Sequence, residues 1–145
     1  MTASPQLHPA AAESLAKWHA MIAANDLSEL RSIVHPDVTF RSPVAHNAYK
    51  GADALVLALT AAATVFQDFT YYRQAATADG LNAVLEFGAK AGGKEVKGID
   101  FIRFDEDGKI VEFEVMVRPL SGLHALAQEM GKRVGAALPD YKEKR

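Results

Sequence analysis

The sequence of 145 residues contains no cysteine. Without thiols the chain cannot form disulfide bonds, use a cysteine nucleophile, or hold zinc or an iron–sulfur cluster through thiolates. An excess of one charge is also missing, because 16 Lys and Arg stand against 18 Asp and Glu, giving a net charge of −2. This balance excludes the strongly basic class of nucleic-acid-binding proteins.

Long hydrophobic runs are absent as well. The longest apolar stretch, residues 52–66, is interrupted by Asp53, Thr60 and Thr64, whereas a membrane-spanning helix needs about 20 apolar residues. Residues 1–6 show no basic segment followed by an apolar one, so no signal peptide is predicted. We therefore expect a cytoplasmic protein that contacts neither membranes nor nucleic acid. With 49% apolar residues, one domain of this length can bury a core without metals or disulfides.

Helical periodicity dominates the first half of the chain. Apolar residues at helical spacing predict a helix over 10–24, with Pro9 as its first residue. The segment 26–29 has the spacing of a capping box and predicts a second, short helix that ends near Val34. The His35-Pro36 pair stops that helix, because proline disfavours a helical conformation in the preceding residue.

A short strand and a third helix follow. Residues 38–41 alternate between apolar and polar, as a strand does, and residues 42–51 have the Pro and Gly content of a loop. The next segment, 53–66, carries an apolar stripe at helical spacing and predicts the third helix.

After residue 68 the apolar period changes to about two. Four strands are predicted, over 69–79, 81–90, 94–104 and 109–118, and they are joined by glycine-containing turns. Pro119 ends this antiparallel meander, and Ser121 is expected to cap a last helix that runs to residue 137. Helices followed by long antiparallel strands indicate an α+β fold.

The strand 94–104 is apolar on both of its faces. Ile102 and Phe104 lie on one face, and Ile99 and Phe101 lie on the other. A sheet that is apolar on both faces must be covered on both. The helices can cover one face, and we expect a second copy of the chain to cover the other.

Three segments resemble the nuclear transport factor 2-like superfamily. They are WHAMIAANDL at 18–27, VTFRSPV at 38–44 followed by Gly51, and GIDFIRFDEDGKI at 98–110. The resemblance is nearest to the SnoaL-like subgroup, which includes polyketide cyclases and is related to ketosteroid isomerase. It implies a cone-shaped, curved antiparallel sheet wrapped around N-terminal helices, with an apolar cavity and a homodimer formed through the outer sheet face. The domain organisation is then an N-terminal arm (1–9), a SnoaL-like domain (10–119), and an added C-terminal helix with a polar tail (120–145).

Asp100 lies in the middle of the strand 94–104, among apolar residues. A carboxylate in such surroundings is costly unless it is hydrogen-bonded or protonated. The resemblance places Asp100 where ketosteroid isomerase keeps a neutral aspartic acid that donates to a developing oxyanion. A structural aspartate, bonded to the backbone or to the first helix, fits the sequence equally well.

The remaining machinery of that isomerase does not match. Its general-base aspartate corresponds to Ser42, and a serine hydroxyl cannot take a proton from carbon without a base of its own. Its oxyanion-hole tyrosine corresponds to Trp18, whose indole N–H only donates. Steroid isomerisation by the familiar mechanism is therefore not expected. His46 in the loop 42–51 is the candidate for a replacement base, or it is a solvated loop residue.

The resemblance thus predicts a cavity for a small apolar molecule, with isomerase, cyclase or lyase chemistry of the acid–base type and without a metal or other cofactor. The alternative is a non-catalytic dimerisation or binding module whose cavity is filled by its own aromatic side chains. A cavity below about 300 Å³, with Asp100 satisfied by backbone groups, would favour that module. The predicted catalytic residues are Asp100 and His46, and the predicted ligand-binding residues are Trp18, Ser42, Tyr49, Ile102, Phe113 and Val115.

Overall fold

The computed structural model describes residues 6–141. The N-terminal arm predicted over 1–9 and the polar tail predicted over 140–145 lie partly outside the described residues. Within them, the α-helices are α1 (Pro9–Ala24), α2 (Ala52–Val65) and α3 (Leu120–Val134), and short 3-10 helices cover Leu30–Ile33 and Leu138–Tyr141. The strands are β1 (Val34–Arg41), β2 (Tyr49–Lys50), β3 (Gln67–Ala76), β4 (Asn82–Ala91), β5 (Lys94–Phe104) and β6 (Ile110–Arg118).

The strands form one open sheet in the order β2-β1-β6-β5-β4-β3. Strands β3 to β6 form the predicted antiparallel meander. The fold is α+β as predicted, but the sheet is mixed, since β1 pairs in parallel with β6. A parallel pairing between strands so far apart in sequence leaves no turn signal between them, which is why the sequence did not indicate it.

The first strand is longer than predicted and contains a proline. It begins at Val34, and its register against β6 shifts between Val34 and Thr39. Val34 pairs with Ile110 and Thr39 pairs with Glu112. An advance of five residues along β1 therefore corresponds to an advance of only two residues along β6. Pro36 lies inside this irregularity, where the missing N–H costs no ladder hydrogen bond.

Two predicted helix caps are wrong. Asp26 accepts a hydrogen bond from the N–H of Ser28 at 3.0 Å, and this local turn precedes only the 3-10 helix, which has no side-chain cap. Ser121 does not cap α3, because the helix already begins at Leu120 after Pro119. The side chain of an aspartate often accepts a hydrogen bond from the backbone N–H two residues later, which forms a turn. The capping-box spacing therefore identified a turn instead of a second α-helix.

The helices cover one face of the sheet. The main core combines Leu15 and Trp18 of α1 and Leu55 of α2 with Phe104 and Phe113 of the sheet, all at most 3% exposed. Burial of each large apolar side chain contributes roughly 1.5–3 kcal/mol. Under α3 lies a second cluster, formed by Val65, Ala89, Ala91, Val96 and Leu126.

The other face of the sheet is partly apolar, as the alternation predicted. Ile99 and Phe101 are half-buried there, and Met116 beside them is 43% exposed. We refer to this surface as the outer face. Glu86, on the same surface, is bound by the guanidinium of Arg73 at 2.6 Å and by the ammonium of Lys97 at 3.2 Å.

Candidate active site

Asp100 is buried in the centre of the sheet, at 5% exposure. Its register partners are Leu85 on β4 and Val115 on β6. Because directly opposed residues project to the same side of a sheet, the carboxyl lies among their apolar side chains on the helix-covered face. The strand alternation thus placed Asp100 correctly, and the structure shows how its polar atoms are treated.

A chain of two hydrogen bonds ends on Asp100. The indole Nε1–H of Trp18 donates to the hydroxyl oxygen of Tyr71 at 3.0 Å, and the Tyr71 hydroxyl donates to Oδ2 of Asp100 at 2.5 Å. A phenol has one O–H to donate. Because the Tyr71 hydroxyl donates its hydrogen to Asp100, it cannot donate a hydrogen bond to a ligand.

The other carboxyl oxygen of Asp100, Oδ1, does not share the hydrogen bonding of Oδ2. No side chain or backbone group of residues 6–141 donates to it. Within the same residues, every fully buried side-chain nitrogen or oxygen has a hydrogen-bond partner. It follows that Oδ1 is not fully buried and borders a space that admits a water molecule.

Burial raises the pKa of Asp100 to about 7, against the lowering effect of the Tyr71 hydrogen bond. A substantial fraction of the carboxyl is therefore neutral near physiological pH. Since Oδ2 already accepts the Tyr71 hydrogen, the acid proton belongs on Oδ1. Burial, and then the charge of Asp100, raise the pKa of Tyr71, so the phenol remains protonated.

A largely apolar cavity of about 200 Å³ has Val115, the register partner of Asp100, in its wall, but Asp100 itself is not a wall residue. Its walls come from β1, the loop after it, β2, α2, β6, α3 and the second 3-10 helix. The polar side chains in the wall are those of Ser42 and Tyr49, and burial raises the pKa of Tyr49. We refer to this space as the α3 cavity. Its volume is below the roughly 300 Å³ of a pocket for a drug-sized molecule.

The predicted site residues do not all meet in one place. Ser42, Tyr49 and Val115 line the α3 cavity. Ile102 and Phe113 are fully buried and belong to the core. They therefore have no accessible surface to offer a ligand.

Trp18 also differs from its predicted role. It is 3% exposed, its ring packs edge-on against Phe113, and its N–H holds Tyr71. Trp18 therefore acts on the carboxyl through Tyr71 instead of touching a ligand in the α3 cavity. Asp100 itself lies one strand away from the cavity wall, opposite Val115.

His46 is exposed in the loop after β1 and is not part of the cavity wall. The start of that loop is fixed by a hydrogen bond from the N–H of Val44 to the Oγ of Ser42, at 3.1 Å. This turn brings Pro43 and Val44 to the cavity. The structure therefore separates His46 from Asp100, the other predicted catalytic residue.

Tyr71 is the site residue that the sequence analysis missed. The β3–β4 register shifts between Tyr71 and Gln74, so that Tyr71 pairs with Phe87 while Gln74 pairs with Leu85. The Tyr71 hydroxyl reaches across β4 to Asp100, 29 residues away in the sequence. Strand alternation would have suggested only that Tyr71 shares a face with Phe69.

Some other kinds of site are missing from residues 6–141. No group of three or more His, Asp or Glu side chains is arranged there to hold a metal ion. None of the helices in this part of the chain has the combined length and apolarity that crossing a bilayer requires.

Comparison with known proteins identifies relatives along almost the whole chain. The model of the SnoaL-like domain matches residues 15–113. A steroid delta-isomerase from Pseudomonas aeruginosa is 55% identical, with 94% of this chain and 99% of that one covered and a TM-score of 0.89. No curated protein matches significantly.

More distant structures share the fold. An uncharacterised protein with a cystatin-like fold from Silicibacter pomeroyi is 30% identical, covers 92% of each chain and has a TM-score of 0.80. An NTF2-like protein of unknown function from Mesorhizobium loti is 23% identical, with 79% of this chain and 99% of that one covered and a TM-score of 0.66. The last similarity concerns the fold alone.

Proposed function

Since this chain belongs to the SnoaL-like domain family, we propose that it binds a small apolar molecule that carries a carbonyl-type oxygen, to which Asp100 donates a hydrogen bond. The observation that carries the proposal is the asymmetry of the carboxyl group. Oδ2 is held by Tyr71, whereas Oδ1 has no donor among residues 6–141 and borders open space. A buried acid with one free oxygen is suited to donate to a ligand oxygen.

The α3 cavity holds the apolar body of the ligand in this proposal. Val115 belongs to the cavity wall and is the register partner of Asp100 on the neighbouring strand. Neighbouring strands lie about 4.8 Å apart. The ligand oxygen therefore has to pass the Val115 side chain to meet Oδ1.

The chemistry follows from the state of the acid. A neutral carboxylic acid in a site shielded from water stabilises negative charge that develops on a bound oxygen, as in enolate formation. Asp100 thereby supplies the acid half of an isomerase, cyclase or lyase reaction. The 55% identical relative bears the name of a steroid delta-isomerase, which makes a ketone the first substrate class to examine.

A complete acid–base reaction also needs a base. Ser42 and Tyr49, the polar side chains of the cavity wall, are not bases at neutral pH. In the catalytic form of the proposal His46 takes this role, which requires the loop after β1 to turn inward from the exposed position that His46 has in the structure. Steroid isomerisation through an aspartate base is not proposed, because Ser42 stands at that position.

The test uses decalone, a two-ring apolar ketone, as the probe. Binding is measured by calorimetry below pH 7, where Asp100 is largely neutral. Asp100→Leu keeps the branched shape of the side chain, replaces the two oxygens by larger methyl groups and so removes the donor, and we expect a loss of about 3–10-fold in affinity, the range of one hydrogen bond. The control is Tyr72→Phe, because Tyr72 is exposed and follows the site residue Tyr71 in the sequence. Equal affinity in wild type and Asp100→Leu would refute the proposal.

A second candidate is a binding or dimerisation module without catalysis. The small volume of the α3 cavity and the complete burial of Ile102, Phe104 and Phe113 favour it, because these side chains fill space that a ligand would otherwise use. This candidate predicts that decalone does not bind and that Asp100→Leu alters stability alone.

Either function is proposed to operate in a homodimer formed through the outer face. The half-buried Ile99 and Phe101 and the exposed Met116 provide an apolar centre. Positively and negatively charged side chains surround this centre, including the ion pair of Arg41 with Glu112 at 2.8 Å. A surface that carries both charges around an apolar centre can complement its own copy across a two-fold axis.

A further inference from the structure

Helix α3 contains two glycines whose surroundings differ. A Cβ atom at Gly122 would lie 2.6 Å from Cγ1 of Val96 and 2.8 Å from the carbonyl oxygen of Glu95. The close packing of α3 on β5 therefore requires glycine at this position. Gly122 has a structural explanation and serves as the comparison for the second glycine.

The second glycine, Gly131, has no such explanation. A Cβ atom there would meet nothing within 4 Å beyond the backbone of its own helix, and its φ lies outside the left-handed region. Glycine is markedly less favourable than alanine inside a helix. The fold thus accepts an unfavourable residue at a position where a side chain would fit.

Gly131 lies in the wall of the α3 cavity, between Met130 and Val134 of the same wall. Gly131 is also exposed, so it lies where the wall of the cavity meets the protein surface, and a side chain there would extend over this open edge. We propose that Gly131 determines the largest ligand that the α3 cavity accepts, by keeping this part of the wall free of a side chain. This inference rests on the proposed function, that an apolar ketone-type molecule occupies the cavity.

Selectivity of this kind is set by volume. A difference of one methylene group in a hydrophobic pocket changes discrimination by about 10–200-fold. We expect a leucine at position 131 to obstruct this edge of the cavity and to disfavour a two-ring ketone more than a one-ring ketone. An alanine at this position is smaller, so the affinity of Gly131→Ala for decalone should lie between those of wild type and Gly131→Leu.

The experiment compares two ketones on three variants. Cyclohexanone, with one ring, and decalone, with two, are titrated into wild type, Gly131→Ala and Gly131→Leu. Gln128→Leu is the matched control, because it adds the same side chain to an exposed position of the same helix outside the cavity wall. We expect Gly131→Leu to weaken decalone binding by about tenfold or more, with cyclohexanone and the Gln128→Leu control within about twofold of wild type.

Thermal unfolding gives an independent readout. Gly131→Ala should raise Tm by about 2–5 °C, because alanine favours the helix and meets no neighbour. A fall in Tm would show that packing requires this glycine and would overturn the inference. Undiminished decalone binding in Gly131→Leu would overturn it as well, with the proposed function intact. Failure of wild type to bind either ketone would refute the proposed function and this inference together.

Discussion

The hydroxyl of Tyr71 donates to Oδ2 of Asp100 at 2.5 Å, inside the protein and close to Trp18. This single contact makes the two carboxyl oxygens unequal. One oxygen is used by the fold, and the other keeps its capacity to meet a ligand. Asp100 therefore has the structural hydrogen bond that the sequence left open, and Oδ1 remains for the ligand contact that we propose.

Tyr71→Phe tests the contact itself. Removal of the donor should raise the pKa of Asp100 from its value of about 7, because the Tyr71 hydrogen bond lowers it. The buried Trp18 N–H also loses its acceptor, so we expect a loss of about 1–3 kcal/mol in the free energy of unfolding. An NMR titration of the Asp100 carboxyl carbon measures the pKa, with Tyr72→Phe as control. A pKa that moves toward 4 would contradict the account.

Asp100→Asn tests the pH dependence of stability. The pKa of Asp100 is raised from 3.8 in the unfolded chain to about 7 in the fold. The associated stability is present below the unfolded pKa and is lost as pH rises to 7. The amide does not ionise, so the variant should gain stability relative to wild type between pH 4 and 7, by an amount on the order of a few kcal/mol. Denaturant unfolding at several pH values measures the free energy of unfolding of both proteins. A difference between them that does not change with pH would refute the prediction.

Much of the fold was predictable because its signals are local. Strand β5 was predicted at 94–104, a segment that lies between two glycine-containing turns, and the structure gives the same bounds. The pairing of β1 with β6 was not predictable, because it depends on contacts between distant segments. The same limit applies to the site. Alternation located Asp100, whereas its contact with Tyr71 joins β3 to β5 across β4, and no spacing in the sequence records such a contact.

Val115→Ala tests the path between the α3 cavity and Asp100. A smaller side chain should open the wall toward Oδ1 and strengthen decalone binding several-fold, while stability falls by about 1 kcal/mol. Val117→Ala is the matched control, because Val117 lies two residues further along β6 and packs against the second cluster instead. Equal effects of both variants on binding would show that Val115 has no special place on the path.

Met116→Lys tests the proposed homodimer. A charge in the apolar centre of the outer face should dissociate the pair, because an unpaired charge is costly to bury at an interface. Light scattering coupled to size-exclusion chromatography reports the mass, and Leu120→Lys, at an exposed apolar residue of α3, is the control. A wild-type chain that elutes with the mass of a monomer would refute the proposed homodimer.

The central claim, that the O–H on Oδ1 of neutral Asp100 donates to a ligand oxygen, is tested most directly by the carbonyl stretch of bound decalone. Difference infrared spectra of the wild-type complex should show a shift to lower frequency well below pH 7, and the shift should vanish well above pH 7, where Asp100 is ionised. Asp100→Leu should show no shift at either pH. A shift that persists in Asp100→Leu, or that is independent of pH in wild type, would contradict the account.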